Sequence, residues 1–129
     1  MIRHIPDAGY TSIFSYFTDC NQIHLVSNEA LPTDLTGSLL VHELVAGDFS
    51  INHTPPSGTG SRLTIAAQDA VDVAFDGTSK HAVLAYDDGV NPAEIRFVTP
   101  CSERVLSASL GDKVNLGEFY LQIAAPIAP

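Results

Sequence analysis

The sequence predicts a mainly β domain, an antiparallel β-sandwich or small barrel with one short N-terminal α-helix. Three observations predict it. From Ser61 onward apolar and polar residues alternate with a period close to two. Clusters of Gly, Pro, Asn and Asp recur between the short apolar runs. Ahead of these runs, a single stretch carries apolar residues at helical spacing.

That stretch runs from Ala8 to Asp19, with Tyr10, Ile13, Phe14 and Phe17 at i, i+3, i+4 and i+7. Asp7 reads as its N-cap, with Pro6 just outside. The aromatic stripe is most simply core packing under a sheet; the sharper reading makes it a subunit contact. After Asp19-Cys20-Asn21, the residues Ile23, Leu25 and Val26 suggest a first strand, closed by a loop over 27–34. Thr36-Gly37-Ser38 forms a turn into a second strand over 39–45, and Phe49 and Ile51 follow Gly47-Asp48. Residues 52–60 combine Asn, Thr, Pro, Ser and Gly and can only be a loop.

Leu63, Ile65 and Ala67 alternate with Arg62, Thr64 and Ala66, and Val71, Val73 and Phe75 alternate with Asp72, Ala74 and Asp76. These are strands with one wet face. Asp76-Gly77-Thr78-Ser79 reads as a hairpin turn into an apolar central strand over 80–86, and Asp87-Asp88-Gly89 as a second turn. A strand over 94–99 is then expected to break at 100–104, before a short edge piece at 105–108. One last strand is expected from Lys113, with Phe119, Leu121 and Ile123 on one face. The 125–129 tail, with Pro126 and Pro129, cannot join a central ladder. Residues 1–129 thus read as one domain, divided into a helical segment at 1–21, a β domain at 22–124 and the Pro-containing tail.

A chain of 129 residues buries enough surface to fold without a metal or disulfide framework. Six Lys and Arg stand against 15 Asp and Glu, a formal net charge of −9. Nucleic-acid binders draw most of their affinity from cations on phosphates, so neither nucleic acid nor an anionic membrane is an expected partner. Residues 1–7 lack the apolar stretch of a signal peptide, and no run has the length of a membrane span, so synthesis in a cytoplasm is expected. Cys20 and Cys101 show no CxxC pairing and read as buried or half-buried thiols.

Few residue patterns in the chain point to chemistry. His42-Glu43 starts like a zinc-protease motif, but Ala46 stands where the second histidine belongs. His24, His42, His53 and His81 supply no local pair of ligands and read as surface or partly packed residues. No signature of a nucleophile surrounds either cysteine, and Gly58-Thr59-Gly60-Ser61 is neither a serine elbow nor a phosphate loop. Asp87-Asp88 reads as a hairpin turn and not as a catalytic carboxylate pair. No enzyme is expected, and no catalytic residue, metal ligand or cofactor.

Four stretches carry a family resemblance: 61–68 (SRLTIAAQ), 77–89 (GTSKHAVLAYDDG), 96–101 (RFVTPC) and 110–123 (LGDKVNLGEFYLQI). Their order resembles that of small structural proteins of tailed bacteriophages, taken to decorate or cement the capsid. In that family a G-T-x-x-H strand leads to an acidic-glycine turn, a short strand ends in Thr or Cys, and a last strand alternates. The N-terminal half resembles the family more loosely, and its helix departs from the usual Ala- and Leu-rich one in carrying Tyr10, Phe14, Tyr16 and Phe17.

The resemblance implies a virion structural protein on the capsid exterior, made in the host cytoplasm. It implies the major capsid protein as partner, and a symmetric homo-oligomer, dimer or trimer. Candidate contact residues are Tyr10, Phe14 and Phe17 on the helix, Pro55 and Pro56 in the loop, and Pro126 and Ile127 in the tail. A second reading is a tail or head-tail connector component. A third is a small ligand- or metal-binding β-barrel enzyme, which requires His24, His42 and His81 to face one cavity. Asp72, Asp76, Asp87, Asp88, Glu94 and Asp112 are expected on wet faces or turns, keeping particles mutually repelling.

Overall fold

A computed structural model describes residues 5–54 and 60–124; Pro55, Pro56, Pro126 and Ile127 lie outside the described residues. One helix, α1 (Asp7–Thr18), precedes β1 (Gln22–Val26) and β2 (Ser38–Glu43). A 3-10 turn at Ala46–Asp48 leads into β3 (Phe49–Asn52), followed by β4 (Ser61–Ile65), β5 (Gln68–Asp72) and β6 (Gly77–Tyr86). The last elements are β7 (Glu94–Leu106), β8 (Lys113–Leu116) and β9 (Phe119–Ile123). The protein is mainly β, with antiparallel sheets in the orders β2-β1-β6-β7, β3-β4-β9 and β5-β8.

All three sheets and the helix feed one apolar core. The four-stranded sheet contributes Ile23, Leu25, Leu40 and Leu84, the β3-β4-β9 sheet Leu63 and Ile65, and the small sheet Val71, Val114 and Leu116. Strand register explains the first set: Ile23 stands opposite Leu84 and Leu25 opposite both Leu40 and Ala82, so their side chains share one face. The alternation read in β4 holds, with Ser61, Leu63 and Ile65 buried and Arg62 and Thr64 half-buried.

The helix forms where its stripe predicts, with Tyr10 and Phe14 buried. Two details differ. Pro6, not Asp7, occupies the N-cap, and no side chain caps the helix; Asp7 is the first helical residue, where its charge suits the dipole. Ile13 sits at the flank of the stripe and is exposed, while Phe17 is half-buried with its ring edge-on to Phe97.

Several expected strand boundaries also move. Asp76–Ser79 is not a hairpin turn: β5 pairs with β8, β6 pairs with β1 and β7, and Gly77 to Ser79 already belong to β6. Gly77 instead answers a packing need, because a Cβ there would stand 2.7 Å from Leu39 Cδ2. Strand β5 ends at Asp72, so Val73 is buried outside a strand and Phe75 points into solvent.

Pro100 does not break β7, which continues through the 100–104 segment to Leu106. Because β7 is the sheet's edge, its outward side needs no amide donor there, and Pro100 stands opposite His81 next to a register shift. The expected final strand divides at Gly117-Glu118 into β8 and β9, which join different sheets. The Asp87–Gly89 turn is as read: Asp88 Oδ1 accepts from the amides of Val90 and Asn91 at 2.8 Å, and Gly89 adopts φ +81°. Those hydrogen bonds hold the exposed Asp88 carboxyl below the usual range.

Candidate functional site

Strand β8 pairs with β5 and β9 with β4, and neither reaches β7. The divergence leaves a cleft of about 300 Å³ between the inner face of the four-stranded sheet and the 114–119 segment. Its walls are largely apolar, including Ile23, Leu25, Ala82, Val114, Leu116 and Phe119. Thr99, Cys101, Ser102, Arg104 and Asn115 add polar groups. Ser79 ties down the irregular part of β7, its Oγ donating to the Ser102 carbonyl at 3.1 Å and accepting from the Arg104 amide at 3.2 Å.

Both cysteines are free thiols, Cys20 buried and Cys101 half-buried, as the sequence suggests. Burial raises the Cys101 thiol, and the Ser79 hydroxyl pulls it back only in part. Burial pushes Cys20 up to about 11; Arg96 opposes this, and Asp19 and Glu94 reinforce it. Neither sulfur is poised as a thiolate nucleophile.

The cations are distributed unevenly. Arg3 lies outside the described residues. Arg62 stacks on Tyr120 at 3.8 Å and donates to Gln122, while Arg96 lies 4.6 Å from the rings of both Tyr16 and Tyr86 and beside Asp19 and Glu94. Lys80 pairs with Glu103 at 2.7 Å, and Lys113 pairs with Asp72. Among the described residues, only Arg104 has a cationic side chain without an ion pair, hydrogen bond or ring contact, and it lines the cleft.

The histidines do not converge. His24 and His81 occupy the sheet face opposite the core, in register with Val83 and Val26, while His42 shares the core-side parity of Ile23. None of them lines the cleft. His42 Nε2 donates to Gln68 Oε1 at 2.9 Å, and His53 Nδ1 meets Ser61 Oγ at 2.7 Å. His81 Nδ1 donates to the Asn28 carbonyl, in the loop after β1, at 2.9 Å. Among the described residues no group of three His, Cys, Asp or Glu side chains could hold a metal ion.

His24 belongs to a polar relay. Gln22 Nε2 donates to Asp87 Oδ2 at 3.1 Å, Gln22 Oε1 accepts from His24 Nε2 at 3.0 Å, and His24 Nδ1 meets Ser38 Oγ at 2.7 Å. Burial lowers its pKa from 6.5, and Asp87 opposes the shift. The unfolded chain therefore binds the His24 proton first as pH falls through 6.5, and folding stability drops toward acid. Urea midpoints at pH 7.5 and 5.5 check this: the wild type is expected to lose more stability on acidification than His24→Gln. Equal losses would remove His24 as the cause.

One end of the four-stranded sheet exposes four large apolar side chains among the exposed acids Glu29, Asp34 and Asp76. It gathers the β1-β2 loop, the β5-β6 connection and the turn after β7, which antiparallel register brings together. Here Leu31, Phe75, Val105 and Leu110 are 70, 65, 83 and 82% exposed. The segments beneath are firmly held. Ala74 and Phe75 both donate to the Leu39 carbonyl, the Ala108 amide to Asp76 Oδ1 at 2.7 Å, and the Ser107 amide to Asp112 Oδ2 at 2.8 Å.

Tyr10 and Phe14 are buried in this chain's own core, the simpler of the two readings of the aromatic stripe. Phe17 is half-buried against Phe97. Of the acids expected on wet positions, Asp72, Asp76, Asp88 and Glu94 are exposed, whereas Asp87 and Asp112 are half-buried because they bond to Gln22 and to the Ser107 amide. Phe75, Leu110 and Arg104 were not singled out by the sequence. A large apolar residue beside or inside a turn, as in Phe75-Asp76-Gly77 and Leu110-Gly111-Asp112, is the signal that finds the first two.

No protein-family model, curated protein or solved structure matches this chain.

Proposed function

We propose that the protein is a virion structural component, a decoration or cement protein bound to the outer surface of a tailed-phage head as a symmetric homo-oligomer. The observation that carries this reading is the exposed end formed by Leu31, Phe75, Val105 and Leu110. Large apolar side chains held out on hydrogen-bonded loops raise the cost of staying in water and favour a protein partner. The segments that resemble the phage family fall on β4, β6, β7, β8 and β9, the strands that build the domain presenting this end. Exposed acids at Asp72, Asp76, Asp88 and Glu94 suit a particle surface that must repel its neighbours.

The test is copy number per particle, by quantitative mass spectrometry of purified virions. Hundreds of copies are expected. A handful at one vertex would move the protein to the connector class, and absence from the particle would overturn the reading. Phe75→Glu combined with Leu110→Glu is expected to change folding stability by no more than about 1 kcal/mol, since both side chains are exposed. The same pair is expected to weaken capsid binding at least about tenfold. Unchanged binding would relocate the interface.

A further inference from the structure

We propose that the cleft between β7 and the 114–119 segment binds a small apolar carboxylate of the medium-chain fatty-acid type, its chain on the apolar walls and its head group on Arg104. This inference is independent of the virion reading and stands or falls separately.

The cleft has the composition of a site for an amphipathic molecule. Its volume of about 300 Å³ lies at the lower bound for small-ligand pockets. Ile23, Leu25, Ala82, Val114, Leu116 and Phe119 offer a chain only dispersion and burial, and no charged side chain other than Arg104 lines the cleft. Ser102, Thr99 and Asn115 add uncharged hydrogen-bonding groups.

Charge complementarity selects the head group. The chain carries a net charge of −9, and the other described cations are already engaged by carboxylates, an amide oxygen or aromatic rings. Arg104 alone is unengaged among the described residues. A guanidinium offers a carboxylate two parallel donors, and such pairs are stronger than neutral hydrogen bonds. The nearest carboxylate in sequence, Glu103, is held by Lys80 at 2.7 Å and does not neutralise Arg104. A cationic ligand would meet the wrong sign here. A wholly apolar one would leave the guanidinium unused.

The cleft thiol does no chemistry in this proposal. Burial keeps Cys101 protonated, so it serves as one more weakly polar wall atom.

The experiment titrates the full-length protein with octanoate by calorimetry, with 1-octanol as the uncharged comparison. Saturable one-to-one binding of octanoate is expected, with octanol at least about tenfold weaker. Arg104→Gln, whose parent side chain is exposed, is expected to bring octanoate down to the octanol level and leave octanol unchanged. Ala82→Leu, which fills the cleft, is expected to weaken both ligands, and thermal melts of each variant separate this from misfolding. Absence of saturable octanoate binding would overturn the proposal, as would equal affinity for octanoate and octanol. Octanoate binding that Arg104→Gln leaves intact would also overturn it. So would displacement of octanoate only by an apolar peptide that binds in its place without requiring Arg104, since the cleft would then be a peptide groove.

Discussion

Replacing Phe14 with alanine is expected to lower the unfolding free energy by about 3–5 kcal/mol, among the largest losses any single substitution in this chain can produce. Phe14 is fully buried and is the largest of the completely enclosed side chains. It belongs to the common apolar core, and its helix packs on β4 and β7, strands of two different sheets, so its removal leaves a cavity where both meet the helix. The helix is 12 residues long and lacks a side-chain cap, and Phe14 and Tyr10 are its only buried side chains. Isolated helices of that length are marginal in water, so most of its stability comes from packing. A domain of this size is stable by only about 5–15 kcal/mol in all, and the loss is a large fraction of that. Urea unfolding followed by far-UV circular dichroism checks the prediction. Ile13→Ala, on the exposed flank of the same helix, is the control and is expected to cost under about 1 kcal/mol. Equal losses would mean that the helix is not docked through Phe14.

The second large effect is backbone and not side chain. Gly60→Ala is expected to destabilise the protein by at least about 3 kcal/mol, while Gly89→Ala costs only about 1–2 kcal/mol. Both glycines are left-handed, with φ of +79° and +81°, so both substitutions incur the same conformational penalty. They differ in their surroundings. A Cβ on Gly60 would stand 1.8 Å from the Ile123 carbonyl oxygen, whereas one on Gly89 would meet nothing within 4 Å. Relief at Gly60 requires the end of β9 to move, and Ile123 is the residue that pairs with Ser61 at the start of β4. Paired denaturation curves measure the difference, and hydrogen exchange at the β4-β9 pairs locates it. If the two variants lose the same stability, the close approach of β9 is not rigid.

These contrasts indicate where the sequence is legible. The α1 stripe, the alternation in β4 and the Asp87–Gly89 turn are local, because each is decided by residues within a few positions of one another. Asp76-Gly77 carries the same turn chemistry but forms no hairpin, since β6 finds β1 and β7 as partners while β5 finds β8. Its glycine is needed for Leu39, a residue 38 positions away whose approach no local pattern announces. Pro100 likewise reads as a breaker until the sheet order places β7 at an edge. The histidines had too many possible partners to sort by parity, and register alone put His24 and His81 on the outer face and His42 on the inner one.

By itself the amino-acid sequence determined the fold class, the single N-terminal helix, the acidic character of the surface and the absence of any local catalytic motif. These follow from composition and short-range periodicity, which are properties of the chain before it folds. Tertiary structure decided the rest. It brought Leu31, Phe75, Val105 and Leu110 to one end of the four-stranded sheet and opened a cleft with Arg104 on its wall. Each of these depends on which strands pair and in what register, and pairing is settled by burial of the whole apolar surface, which no single segment can encode.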